Sequence, residues 1–196
     1  MVSHITTFCF IGIEVREVDV QTHIVQGLPS FCIVGLPNKT VAESKERIRA
    51  AFSSIGLSLP TKRITVNLSP ADLNKDGSHF DLPIALGLLV DLEIIPQEEL
   101  ENYVAMGELS LDGKLTKVTG ILPAAIKANS INKGLIYPAE NSLEAAWSGN
   151  SDVYAANGLF EVLNHFTGKQ KMCSPILPEI RMHGEKSRIC KTYKAK

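Results

Sequence analysis

Leu73-Asn74-Lys75-Asp76-Gly77-Ser78-His79-Phe80-Asp81-Leu82-Pro83 lies between two apolar runs, Ile64 to Leu68 and Ile84 to Leu92. A strand, a polar turn and a helix start are compressed into about thirty residues, the span of a strand–loop–helix unit. Gly77 supplies a backbone that no side chain crowds. Polar groups gathered at such a junction build either a site or a capped helix. A nucleophile–base reading would use Ser78 and His79, but neighbours in an extended turn point apart, and the pair needs a third group to orient the base. The spacing therefore favours Ser78 or Asp81 as the helix cap, with His79 a turn residue. Lys75 and Asp76 then read as a solvated pair. Glu108, on the apolar run Ala105 to Leu109, needs a partner if buried, and Lys75 and Lys117 are the candidates.

Working toward the N-terminus, Ile5 to Phe10 and Ile13 to Ile24 are rich in β-branched residues and read as strands. Phe31 to Val34 is a third, closed by Gly35-Leu36-Pro37-Asn38. Thr40 to Glu43 fits a capping box. The helix behind it carries Val41, Ile48, Ala51, Phe52 and Ile55 near helical spacing and stops at Gly56. Arg63 to Leu68 is the next strand, and Leu82 to Leu92 is apolar all round, as a deeply buried helix would be. Toward the C-terminus, Gln97 to Glu101 suggests a short helix and Tyr103 to Leu111 a strand. Helices over 120–129, 142–147 and 159–166 then alternate with strands over 134–137 and 153–155. Alternation after residue 30, with antiparallel strands before it, predicts a mixed α/β sheet of the α+β kind.

The chain has 196 residues, is 44% hydrophobic and 21% charged, and carries a net charge of −1. That charge is uneven. Residues 1–168 hold 12 basic and 19 acidic side chains, and residues 169–196 hold 8 and 2. We expect a domain over 1–168 and a basic tail or linker over 169–196, without stable structure. Cys9, Cys32, Cys173 and Cys190 are too scattered for a zinc site or a disulfide framework, so no metal is expected. The N-terminus lacks signal-peptide character and no apolar run spans a membrane, which gives a cytoplasmic expectation. No Gly-x4-Gly-Lys-Ser/Thr loop is present, which argues against a P-loop ATPase in this chain. The tail could meet phosphates, but its one aromatic, Tyr193, makes no stacking platform.

Several stretches, in order, resemble the N-terminal domain of the ComM/YifB family of magnesium-chelatase-like proteins. They are Gly27 to Phe31, Val34 to Pro37, Val41 to Ala51, Ile64 to Asp72, Lys75 to Ser78, Phe80 to Ala85 and Gly107 to Gly113. The resemblance implies a two-layer fold like the Lon proteolytic domain and the RadA C-terminal domain. It also implies that an AAA+ module, using ATP and Mg, would follow, and that complete members form hexameric helicases promoting DNA branch migration in natural transformation. The chain then reads as truncated, with a tail that departs from the family and is consistent with a frameshift. Aligned with the Lon motif, the nucleophilic serine falls on His79 and the catalytic lysine on Leu122, so no Ser-Lys dyad chemistry is expected and no cofactor for this chain. The implied role is ring self-association. Because the body is acidic, any DNA contact is expected from local patches such as Lys39, Lys45, Arg47, Arg49, Lys62 and Arg63, which otherwise read as the wet face of a helix and an edge loop. Two other readings remain. One is a small enzyme using Lys75, Asp76, His79, Asp81 and Glu108 as its pocket, with His79 and Glu108 as acid and base. The other is a decayed fragment.

Overall fold

The computed structural model describes residues 2–172. Nine strands form a seven-stranded mixed sheet and a small two-stranded one. β1 (Ser3–Ile11) and β2 (Glu14–Val25) make a long antiparallel hairpin, and β2 continues antiparallel to β4 (Arg63–Ser69). β3 (Ser30–Val34) adds parallel to β4 at one edge. On the other side β5 (Tyr103–Ala105), β8 (Gly134–Pro138) and β9 (Val153–Ala156) follow β1 in parallel, giving the order β3-β4-β2-β1-β5-β8-β9. β6 (Glu108–Leu109) and β7 (Leu115–Thr116) form the small sheet.

Strand alternation sorts the core into two clusters, as the two-residue period of a strand requires. Ile5, Cys9, Val18, Val20, Val66 and Leu68 face α2 (Ser44–Ser54), α3 (Asp81–Asp91) and α7 (Leu159–Phe166). Phe8, Val104, Leu135, Tyr137 and Val153 face α5 (Ile121–Ser130) and α6 (Ser142–Ala146). The β3-β4-β2 side is therefore two-layered, and α5 and α6 supply a third layer over the parallel side.

α3 is buried from Asp81 to Val90, as its unbroken apolar sequence anticipates. It can lie against the sheet because residue 87 is glycine: a Cβ there would stand 2.7 Å from Thr22 Cγ2 and 3.0 Å from Ser3 Oγ.

Several sequence expectations change here. The capping box at Thr40 does not form. Asn38 caps the short α1 (Lys39–Ala42), its Oδ1 accepting the Val41 N–H at 2.9 Å, and Glu43 separates α1 from α2. Asparagine outranks threonine at this position. The short helix expected over 97–101 forms as α4 (Gln97–Leu100), and the predicted strand over 103–111 breaks at Met106-Gly107 into β5 and β6. The end of α2 follows expectation: Gly56 takes φ +78°, and the Gly56 and Leu57 N–H groups close onto Ser53 and Phe52 carbonyls. Of the tail, only Lys169 to Met172 is described, and Met172 is buried in the core. The expectation for residues 173–196 lies outside the described residues.

Candidate functional site

Lys75 is the first surprise of the turn. Its backbone is laced to the segment after β3: Lys75 N–H donates to Leu36 O at 3.1 Å and Asn38 N–H donates to Lys75 O at 3.0 Å. Its side chain is fully buried, and the ammonium donates to the Pro70 carbonyl. Burial pushes the ammonium pKa down, against the pull of Cys9 and Asp72. Asp76 is exposed and accepts from the Asn38 carboxamide. The expected solvated Lys75–Asp76 pair is thus replaced by two separate anchors, one inside the core and one on the cap of α1.

Gly77 takes φ +111°, and a Cβ on it would meet His79 Nδ1 at 2.6 Å. This backbone folds His79 inward, where it is only 5% exposed. His79 Nε2 lies 2.8 Å from Phe8 O. A carbonyl can only accept, so Nε2 carries the proton and donates. The ring packs against Phe80 and Phe10, with centroids at 4.4 and 5.9 Å. His79 is therefore a turn residue whose side chain lies in the core. It bonds a backbone carbonyl, and Glu108 is not its hydrogen-bond partner. The acid–base reading of these two residues required that contact.

Burial lowers the His79 pKa from its ordinary 6.5, with the Phe8 bond and Asp76 opposing. The neutral ring is thus favoured by folding. The unfolded chain takes up the proton first, so stability from this group is intact above about pH 6.5 and declines as pH falls below it. His165, which is also shifted down by burial, acts in the same direction. Replacing His79 with Gln should flatten the part of the pH–stability curve below about 6.5 that belongs to His79, read by urea unfolding at several pH values.

Asp81 does not cap α3, and Ser78 does not either: the turn Ser78–Phe80 runs into α3 with no side-chain cap bond. Asp81 is fully buried, accepting from Arg47 Nε at 2.6 Å and Nη2 at 2.9 Å and from the Leu109 N–H at 3.1 Å. This two-pronged pairing holds a carboxylate in a fixed plane. Arg47 also donates to Thr40 O and Ser44 Oγ. Its bond to Asp81 holds the guanidinium pKa up. The buried carboxylate that needed a partner is thus Asp81 rather than Glu108, and the partner is Arg47 rather than Lys75 or Lys117. Glu108 is half-buried and acts on Arg47 through its charge.

Phe10 lies between His79 and Gly120, the residue before α5. Phe10 packs on His79 from one side. On the other it lies against Gly120, where a Cβ would be 2.6 Å from Phe10 Cζ, just before Leu122 in α5. Leu122 is half-buried and its N–H donates to Glu144 Oε1 at 3.0 Å. Phe10 and Asn38 were both missed in the sequence. Asn38 had a signal, since a strong cap residue stands directly before the helix, whereas Phe10 had none beyond β-strand character.

The proposed basic patch is thinner than its sequence. Arg47 is withdrawn to Asp81, Arg49 reaches Glu46 at 3.2 Å, and Lys39 reaches Glu43 at 3.9 Å. Lys45 is half-buried. Lys62 and Arg63 belong to none of the described ion pairs. Arg49 and Lys62 border a cleft of about 200 Å³ with Phe31, Leu59 and Ile64 among its walls. Among the described residues no group of three His, Cys, Asp or Glu side chains is placed to hold a metal ion, and no helix is long and apolar enough to cross a membrane.

Known proteins resemble this chain across the same residues. The family described as subunit ChlI of Mg-chelatase matches residues 20–141. Competence protein ComM of Haemophilus influenzae is 38% identical over 169 residues, covering 86% of this chain and 33% of that protein. YifB of Salmonella typhimurium is 35% identical over 170 residues, covering 87% and 34%, and YifB of Escherichia coli is 35% identical over 173 residues, covering 88% and 34%. The chain spans about a third of the length of these curated relatives. The matched region includes the Lys75–Pro83 turn, Arg47, Asp81 and Glu108. The chain belongs to the magnesium-chelatase-like family that includes ComM and YifB.

Proposed function

We propose that this chain is the non-catalytic Lon-like module of a ComM-type protein, serving assembly of the parent ring and engagement of DNA during branch migration in natural transformation. One observation carries the non-catalytic part. Lys75, His79 and Asp81 are buried and each is bonded inward, to Pro70, Phe8 and Arg47 respectively. A nucleophile or base must reach the substrate's reacting atom, and these groups face the core. ATP and Mg belong, in this reading, to the ATPase module of complete family members, and the module works in the cytoplasm where that machinery meets DNA.

DNA engagement by this module rests on Lys62 and Arg63, neighbouring cations that, like Lys45, lie outside the described ion pairs, with Arg49 and Lys62 on one cleft. Each phosphate contact contributes a salt-dependent increment, so losing one lowers the salt slope by about one unit. Lys62→Ala and Arg63→Ala are each expected to weaken binding of forked DNA and to lower that slope, measured by fluorescence anisotropy from low to moderate salt. Arg47→Ala is expected to leave the slope unchanged at temperatures where the variant stays folded. Equal slopes for all three variants and the parent chain would remove DNA engagement by this patch.

A further inference from the structure

We propose that the β1–β2 hairpin tip of one copy of this chain docks in the Arg49–Lys62 cleft of a second copy. The proposal rests on the assembly reading above and names its contact. At the tip, Ile11 pairs with Glu14 across Gly12-Ile13, with Gly12 at φ +61°. Ile13 is 102% exposed and Ile11 48%. Tips of tight turns usually carry Gly, Asn, Asp or Ser, so a bare branched aliphatic there is a protruding apolar knob. It is flanked by exposed Glu14 and Glu17.

The cleft has the complementary character. Its volume of about 200 Å³ is below that of an ordinary small-molecule site and suits a single aliphatic side chain. Phe31, Leu59 and Ile64 supply apolar wall, Pro29 and Pro60 stiffen the rim, and Arg49 and Lys62 bring positive charge to a body that is otherwise acidic. Among the described residues Glu14 pairs with exposed Arg16 at 3.0 Å and Glu17 with half-buried Lys127 at 3.5 Å, and pairs with this much access to water exchange at little cost. The cleft also adjoins β3, which among the described residues is an edge strand with β4 as its one neighbour, and which has neither Lys nor Pro within Ser30–Val34. Edges so undefended are open to a partner.

Knob and cleft lie at opposite ends of the sheet. β2 starts at the tip with Glu14 and ends at Val25, which pairs with Arg63 beside the cleft. Twelve strand residues separate the two ends, about 40 Å at the rise of a β-strand. A contact between opposite ends is head-to-tail, so every copy offers both halves and the association propagates into a ring or a filament.

Sedimentation velocity of the full 196-residue chain over a range of concentrations tests this. Ile13→Asp removes the knob and Lys62→Glu reverses the rim charge. Each is expected to weaken self-association roughly tenfold or more, the loss that one interface anchor gives, with the melting temperature unchanged because both sites are at the surface. The two variants mixed are the decisive sample. One retains a cleft and the other a knob, so the mixture is expected to form a one-to-one dimer and nothing larger. A parent chain that associates while both variants associate equally well overturns this contact and leaves the assembly reading intact. A parent chain that stays monomeric overturns both. Loss of forked-DNA binding in Lys62→Glu with self-association untouched assigns the cleft to DNA and overturns the proposal.

Discussion

Arg47→Ala is expected to destabilise the chain by about 3–5 kcal/mol, the usual cost of removing one partner of a buried ion pair. The reason is the carboxylate left behind. The Asp81 side chain is 0% exposed, and after the substitution only Leu109 N–H and the nearby Ser44 hydroxyl remain to stabilise its charge. Arg47 keeps 19% of its side-chain surface in contact with water, which places the expected loss toward the lower end of that range. The pair joins α2, the start of α3 and β6, so the loss is shared by three elements. Arg47→Lys should recover only part of it, because an ammonium cannot reproduce the two-pronged geometry. The double variant Arg47→Ala with Asp81→Ala should cost less than the sum of the single ones, since neither charge is then stranded. Urea unfolding of the four chains measures all of this. A loss below 1 kcal/mol for Arg47→Ala would show that Asp81 finds another partner or takes up a proton without penalty.

Gly35→Ala is expected to be at least as damaging. Gly35 takes φ +98°, where a side chain is strained in any surroundings. Its Cβ would also fall on the Leu68 carbonyl oxygen and 2.9 Å from the Leu68 carbonyl carbon. Both are backbone atoms of β4, which cannot rotate away. Strain of this kind costs on the order of 1–3 kcal/mol before the clash is counted, so a loss of about 3 kcal/mol or more is expected. Gly12→Ala and Gly56→Ala are matched controls: both have positive φ, but their Cβ atoms would have nothing within 4 Å. They should lose only the backbone part, about 1 kcal/mol. The clash would also disturb the turn, because Leu36 and Asn38, which follow Gly35, hold the Lys75 backbone. Similar melting temperatures for the Gly35 and Gly12 variants would mean that β3 and β4 are not packed as closely as described.

The sequence exposed the fold more readily than the site. β1, β2, β4, α3 and α7 were legible because alternation, apolar runs and terminating Gly or Pro residues are local signals. The family motifs reinforced them residue by residue. Where the reading changed, the deciding contacts are far apart along the chain. His79 is a turn residue, but its burial is not legible until Phe8, 71 positions away, is seen to accept its hydrogen bond. Asp81 looks like a helix cap until Arg47, 34 positions away, is found against it. Lys75 reads as a solvated cation because lysine usually is one, and nothing local reveals that Pro70 receives it. The partner of Arg47 was hidden for the same reason: a charge on the polar side of a helix gave no hint of a buried carboxylate across the interface.

The central claim is that the turn from Lys75 to Pro83 ties the chain together by holding the side chains of Lys75, His79 and Asp81 in the core. Carbethoxylation of histidines with diethyl pyrocarbonate, followed by peptide mapping of the native chain, tests it at one residue. The exposed His4 serves as the internal reference for a reactive imidazole. His79 is expected to stay unmodified while His4 reacts, and to react only after unfolding. Modification of native His79 at the rate of His4 would contradict the account, since it would place that imidazole in an open site able to meet a substrate.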